Sequence, residues 1–379
     1  MIDRPFALRS VVGSVLGSVV LRLAGLAGLA FAAAGGSSAA PAAPQPATAP
    51  RSEDRVVLKS GRELVGELLE ARVDLRPGAG GHHVRFRDRE RGELELPRTL
   101  VRSLVVGDAP PDLFRPLWLD EPDGAPPKSW TRFTAPRGDA PGALEIGVGR
   151  FFHAPTRTTL FLVGAVHIAD RSYYDALQDV LDSCDVVLFE GVGPKAGDAP
   201  PSDEQIARMD ALFELQLRLN AALGLTFQKD GLDYQRRFWR NADVDFGSLT
   251  GELDARGVAL PTDSPLVQGL LKMVLGGLDL AQAGVDPRMR AMLKRQVAAA
   301  LAMADSMMAL QMKGLSEVLL DWRNDAALRV LDEELAEGAA GRWLALFYGA
   351  AHLPDFATKL AARGFEFEGA TYLPAWRVD

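Results

Sequence analysis

One short pattern occurs twice in this chain, as Gly164-Ala165-Val166-His167 and Gly349-Ala350-Ala351-His352. Each copy closes an apolar run, Thr159-Leu160-Phe161-Leu162-Val163 in the first and Trp343-Leu344-Ala345-Leu346-Phe347-Tyr348 in the second. An apolar run without polar alternation reads as a strand covered on both faces. A glycine at its end marks a turn or a close backbone approach. The chain has 5 histidines in all, and two of them stand just past such strands. Imidazole at that place is the usual material for a metal ligand or a proton carrier.

The elements around the first copy bring a carboxylate to it. Residues 158–166 form a buried strand. Asp170 is the expected N-cap of a helix whose apolar positions Tyr173, Leu177, Val180 and Leu181 share one face. Residues 185–189 form a second buried strand, ending in Glu190-Gly191. Strand, helix and strand make a βαβ unit, so the strands run parallel with a right-handed crossover. Both then end on one edge of the sheet, where the ligand crevice of an open α/β sheet lies. His167 and Glu190 are thereby placed within reach of each other.

Composition narrows the classes of function. The 379 residues suggest two or three domains, and 47% hydrophobic residues suffice for a sizeable core. A net charge of -8 argues against nucleic-acid binding, which needs a basic surface. Arg4 and Arg9 precede an apolar stretch over 11–34 that ends in small residues, the outline of a secretory signal peptide. Arg22 interrupts that stretch and weakens it as a membrane span, although an uncleaved segment would tie the chain to a membrane. The expected location is therefore periplasmic or secreted. Cys184 is the only thiol, so no intrachain disulfide forms, and its place before Val186-Val187-Leu188-Phe189 reads as a small buried hydrophobe.

The chain divides as follows: signal peptide 1–34, Ala/Pro-rich tether 35–53, small β-barrel 54–107, linker 108–142 and α/β domain 143–379. In the barrel, a hairpin turns at Lys59-Ser60-Gly61-Arg62, and about five short strands are expected. The spacing of Leu58, Gly61, Leu64 and Gly66 resembles small SH3-like or Sm-like barrels. His82 and His83 are read as loop residues. The linker is expected to carry one strand near Trp130 to Phe133. Helices are expected over 203–223, 265–282 and from Asp286-Pro287 to Met312, the last carrying six of the 9 methionines. Core filling or an adaptable peptide-binding surface would account for them. A helix over 315–337 carries Arg323-Asn324, and a terminal helix (353–363) and strand (365–373) follow the second histidine.

Taken together, the motifs resemble the TraB/GumN family, which includes pheromone-shutdown proteins and the TIKI membrane proteases. The resemblance rests on Gly164 with His167, Glu190 in Leu188-Phe189-Glu190-Gly191, Arg323-Asn324, and Gly349 with His352, in the family's order. Asn241-Ala242-Asp243 matches a further segment of bacterial relatives. Two departures stand out: Trp322, where many relatives place an acid before the arginine, and Pro354-Asp355 in place of a glycine after the second histidine. The resemblance implies a mixed α/β sheet with a βαβ core and a large helical insertion. It also implies a divalent-metal hydrolase of peptidase type, with Mn, Co or Zn held by His167, His352 and Glu190. The metal would activate a water and polarise a carbonyl. Arg323 would stabilise the oxyanion, and Asn324 would brace Arg323 or a ligand. Glu190 as general base, with Asp243 as third ligand, is the other arrangement, although Asp243 also reads as a helix cap. Non-catalytic peptide sequestration and a cofactor carrier are the competing classes.

Overall fold

The computed structural model describes residues 53–72, 83–97, 100–105, 121–122, 124–137, 141–192, 217, 219–258, 287–311, 316–337 and 342–378. The signal peptide, His82, the helix expected over 265–282 and nearly all of that over 203–223 lie outside these residues.

The amino-terminal strands are β1 (Asp54–Leu58), β2 (Glu63–Arg72), β3 (His83–Asp88), β4 (Gly92–Pro97) and β5 (Val101–Val105). They form one antiparallel sheet in the order β4-β3-β2-β1-β5. The β1–β2 turn closes at Gly61, whose φ of +87° suits a residue without Cβ. Val56, Leu64, Leu68, Val84, Phe86 and Leu104 fill the interior. His83 is not in a loop. Its pairing with both Arg72 and Pro97 makes it the first residue of β3, with Nε2 3.3 Å from Glu95.

An eight-stranded mixed sheet carries the rest. Its strands are β6 (Glu121–Pro122), β7 (Thr131–Thr134), β8 (Gly142–His153), β9 (Thr158–Ala165), β11 (Val186–Phe189), β13 (Trp239–Asn241), β14 (Trp343–Gly349) and β15 (Phe365–Val378). Two short strands, β10 (Ile168–Ala169) and β12 (Thr226–Phe227), pair beside it. The path runs β13-β11-β14-β9-β8-β15-β6, with β7 also on β8. Strands β13, β11, β14 and β9 are mutually parallel, and the others are antiparallel. The strand expected near Trp130 is β7. It and β6 belong to this sheet, so the expected linker is partly built into it. The long β8 and the last five residues of β15 were not foreseen.

Helices cover both faces, which is why β9 and β14 are buried along their whole length. One face packs against α1 (Arg171–Asp182) through Tyr173, Tyr174, Leu177, Val180 and Leu181. After α2 (Phe246–Ala255) comes α3 (Pro287–Gln311), which joins the same core through Ala298. The other face packs against α4 (Arg323–Glu337), through Ala327, Leu328 and Leu331, and against α5 (Leu353–Ala362), through Leu353, Phe356 and Leu360. Asp170 stands at the start of α1 but does not cap it. Its carboxylate takes Lys294 Nζ at 2.8 Å and the backbone N–H of Arg377 at 2.6 Å, tying α3 and β15 to α1. Cys184 is buried. Among the described residues, no helix is long and apolar enough to cross a membrane.

At Gly164 the sheet and α5 meet without room for a side chain. A Cβ there would stand 2.6 Å from Ile146 Cγ2, 2.9 Å from the carbonyl oxygen of Gly147 and 3.2 Å from Leu353 Cδ2. Gly164→Ala is therefore expected to lower stability by about 1–3 kcal/mol through overpacking. Urea denaturation of the variant beside the parent chain measures this.

Candidate active site

The four parallel strands each deliver one polar residue at their carboxyl ends. In spatial order these are Asp243 just past β13, Glu190 after β11, His352 after β14 and His167 after β9. The two Gly-Ala-x-His copies lie on adjacent strands, with Tyr348 paired to Gly164 and Gly349 to Ala165. Strand β14 separates the strands of the βαβ unit, so the second histidine enters between the carboxylate and the first histidine. This is the crevice edge that α/β topology favours.

Arg323 is the centre of the cluster. It follows a π-helical turn, Glu317–Trp322, and opens α4. Turns of this kind are rare and often stand at functional sites, and Arg323 Nη1 donates to a carbonyl within this one, Leu319 O, at 3.2 Å. Its Nε and Nη2 make a bidentate pair with Asp243 at 3.0 and 2.6 Å. Nη2 also donates to Glu190 Oε1 at 2.7 Å, and Nη1 faces His352 Nε2 at 3.5 Å. A guanidinium has five N–H donors, and all five are directed at these protein groups. The side chain is wholly buried. Arg323 thus holds carboxylates in place and leaves no donor for a substrate oxyanion, the role expected of it.

Asp243 is neither a helix cap nor an exposed ligand. Besides Arg323 it accepts the backbone N–H of Gly191 at 3.0 Å and of Val244 at 2.8 Å. The cap of α2 is Asp245, two residues on, which accepts from Ser248 N. Asn241 locks the same corner, donating to Gly191 O at 2.6 Å and accepting from Asp243 N at 2.8 Å. Glu190 uses its second oxygen to accept the N–H of Gly349 at 2.7 Å, so the motif glycine binds the carboxylate through its backbone. Asn324 braces His352: its Oδ1 stands 2.7 Å from Nδ1, and its Nδ2 donates to the His352 carbonyl at 3.1 Å and to Asp355 at 2.8 Å.

His167 is half-buried. Two consecutive tyrosines of α1 hold its segment, Tyr173 donating to Gly164 O and Tyr174 to Val166 O, each at 2.8 Å. The N–H of Gln228 donates to the His167 carbonyl at 2.8 Å. Tyr348 packs against the rings of both His352 and Phe356, with centroids 5.4 and 4.9 Å away, and those two rings also face each other at 6.2 Å. Its buried hydroxyl has no partner among the described residues. The sequence marks Tyr173 and Tyr348 only as buried apolar positions and gives Tyr174 and Gln228 no place in the site. The adjacency of Tyr348 to the second motif was the one available signal.

Electrostatics follow from this packing. Burial alone would push the Glu190 carboxyl up, but Arg323 first, then His352 and His167, more than offset it and hold Glu190 well below the usual carboxylate range. Burial would lower the Arg323 guanidinium, and Asp243 and Glu190 raise it instead. Tyr348 is pushed well up, mostly by burial and then by Asp243. The cluster sets two carboxylates against one guanidinium, with the imidazoles of His352 and His167 beside them.

No match was found. Protein-family models, curated proteins and solved structures all lack a counterpart to this chain at a meaningful level of similarity. Among the described residues, no group of three or more His, Cys, Asp or Glu side chains is arranged to hold a metal ion. Of the expected site residues, Glu190, Arg323, Asn324, His352 and Asp243 form one bonded network. His167 stands at the neighbouring strand end, near enough for its charge to act on Glu190.

Two measurements probe the cluster. Arg323→Met leaves two buried carboxylates facing each other and should cost about 3–5 kcal/mol, read by chemical denaturation. The depressed Glu190 carboxyl contributes stability in full above the unfolded-state value of about 4.3 and loses it as pH falls through its lower folded-state value. The melting temperature of the parent chain should therefore exceed that of Glu190→Gln at neutral pH, with the margin shrinking on acidification.

Proposed function

We propose that this chain is an exported metal-dependent hydrolase, most simply a peptidase, of TraB/GumN type. The observation that supports the reading is the placing of His167, Glu190 and His352 at the ends of three neighbouring parallel strands, beside the buried Asp243–Arg323–Glu190 cluster. Two imidazoles and one ionised carboxylate make a mixed N/O donor set of the type that suits a borderline divalent ion such as Mn, Co or Zn, although their arrangement in this structure does not form a three-ligand group. When bound by His167, His352 and Glu190, the ion would supply an acidified water and a polarised carbonyl.

The chain's own residues have separate tasks in this reading. Glu190 stays ionised under Arg323, and its Oε1, which accepts from Arg323 Nη2, is the oxygen that would take a proton. His352 turns Nε2 toward the same oxygen, at 3.5 Å, with its ring held by Asn324. Arg323 and Asp243 keep Glu190 aligned rather than touching substrate, and the Gly349 N–H fixes the other carboxylate oxygen. His167, the half-exposed member, is the one that meets an incoming peptide. The small amino-terminal sheet would position or recruit that peptide.

The depth of the cluster supports a second reading, a non-catalytic peptide-binding or sequestering protein, since the side chains of Glu190 and His352 are only 6% and 2% exposed. One experiment separates the two. Elemental analysis after loading with manganese or cobalt should give one equivalent for the parent chain and a loss of ten-fold or more in affinity for His167→Ala and His352→Ala. The loaded parent should also generate new peptide termini from a defined peptide mixture, followed by mass spectrometry. Equal metal in all three proteins, or peptide retention without cleavage, would remove the hydrolase reading.

A further inference from the structure

The hydrogen bonds behind His352 form a directional chain that ends on a residue to which no role has been given. Lys359 Nζ is held by Asp325 at 2.7 Å, by the Asp321 carbonyl at 2.9 Å and by Asp355 Oδ2 at 2.9 Å. The same Asp355 oxygen accepts from Asn324 Nδ2 at 2.8 Å. That amide nitrogen also reaches the His352 carbonyl at 3.1 Å, and the amide oxygen meets His352 Nδ1 at 2.7 Å.

An amide side chain has one donor end and one acceptor end. A carboxylate and a carbonyl are both acceptors, so the end of Asn324 facing Asp355 and the His352 carbonyl must be the NH2. Reversal would bring three oxygen acceptors together. The opposite end is then the carbonyl oxygen, which requires a proton on Nδ1 of His352. A neutral ring with Nδ1–H has its lone pair on Nε2, the nitrogen that faces Arg323 Nη1 and Glu190 Oε1 at 3.5 Å each.

We propose that Asp355 is a positioning residue of the site: by orienting the Asn324 amide it holds His352 as the Nδ1–H tautomer and turns the Nε2 lone pair toward Arg323 and Glu190. The tautomer decides which nitrogen can take a metal or a proton there. The inference goes beyond the hydrolase reading and is independent of it, because the tautomer is a property of the unliganded chain. Asp355 contacts neither Glu190 nor Arg323 in the bonding network, so it acts through Asn324 alone.

The test is two-bond 1H–15N correlation spectroscopy of the full-length chain labelled with 15N-histidine, with His352 assigned through His352→Gln. The parent chain should show the Nδ1–H pattern. Asp355→Ala removes the charged acceptor and should raise the Nε2–H population relative to Nδ1–H by roughly tenfold or more. Asp355→Asn keeps an oxygen able to accept from both Lys359 and Asn324, and should return the parent pattern. An Nε2–H ring in the parent, a ring protonated on both nitrogens at every pH where the chain is folded, or a parent-like ratio in Asp355→Ala would overturn the proposal. If the alanine variant fails to fold, the parent and Asp355→Asn decide: Nδ1–H in both is the expected result, and Nε2–H in either overturns it.

Discussion

A single buried guanidinium organises this protein's candidate site. Arg323 contacts Asp243, Glu190, the Leu319 carbonyl and His352 from the first turn of α4. Ions out of water are costly unless each is paired and hydrogen-bonded, and removing one partner strands the others. The arrangement meets that condition almost completely: bidentate geometry on one carboxylate, a backbone N–H on the other, and a carbonyl for the remaining donor. The carbonyl that the arginine takes, Leu319 O, belongs to the π-helical turn directly before it.

That ionic centre depends in turn on the order of four strands. Hydrogen-bonded parallel neighbours β13, β11, β14 and β9 end together, so residues 167, 190, 243 and 352 reach one edge despite their separation in sequence. The glycine of the first motif and the backbone of the second support it. Gly164 admits Leu353 and Ile146 at close range, and Gly349 gives its N–H to Glu190. The repeated pattern is thus as much a packing device as a source of imidazole.

Much of this was legible beforehand. Unbroken apolar runs identified β9, β11 and β14, and helical spacing of Tyr173, Leu177, Val180 and Leu181 identified the buried face of α1. The parallel crossover followed from element order alone. Other features were not legible, for identifiable reasons. β8 mixes glycine, glutamate and arginine with its apolar residues, so no clean period marks it. Asp170 has the sequence of an N-cap, yet its carboxylate is taken by Lys294 and Arg377 from distant elements. Asp243 and Asp245 are both plausible caps by type, and only the fold assigns one to Arg323 and the other to α2.

Local sequence by itself determined the types of the elements that bear the candidate site, the strand edge they share and which polar residues stand on it, because periodicity and chain order act over short distances. Tertiary structure alone decided what each of those residues does. Whether Arg323 meets a substrate or a pair of buried acids, and whether Asn324 braces an arginine or a histidine, depends on which distant groups compete for its donors. Such competition among partners far apart in the chain leaves no trace in residue spacing, and only packing resolves it.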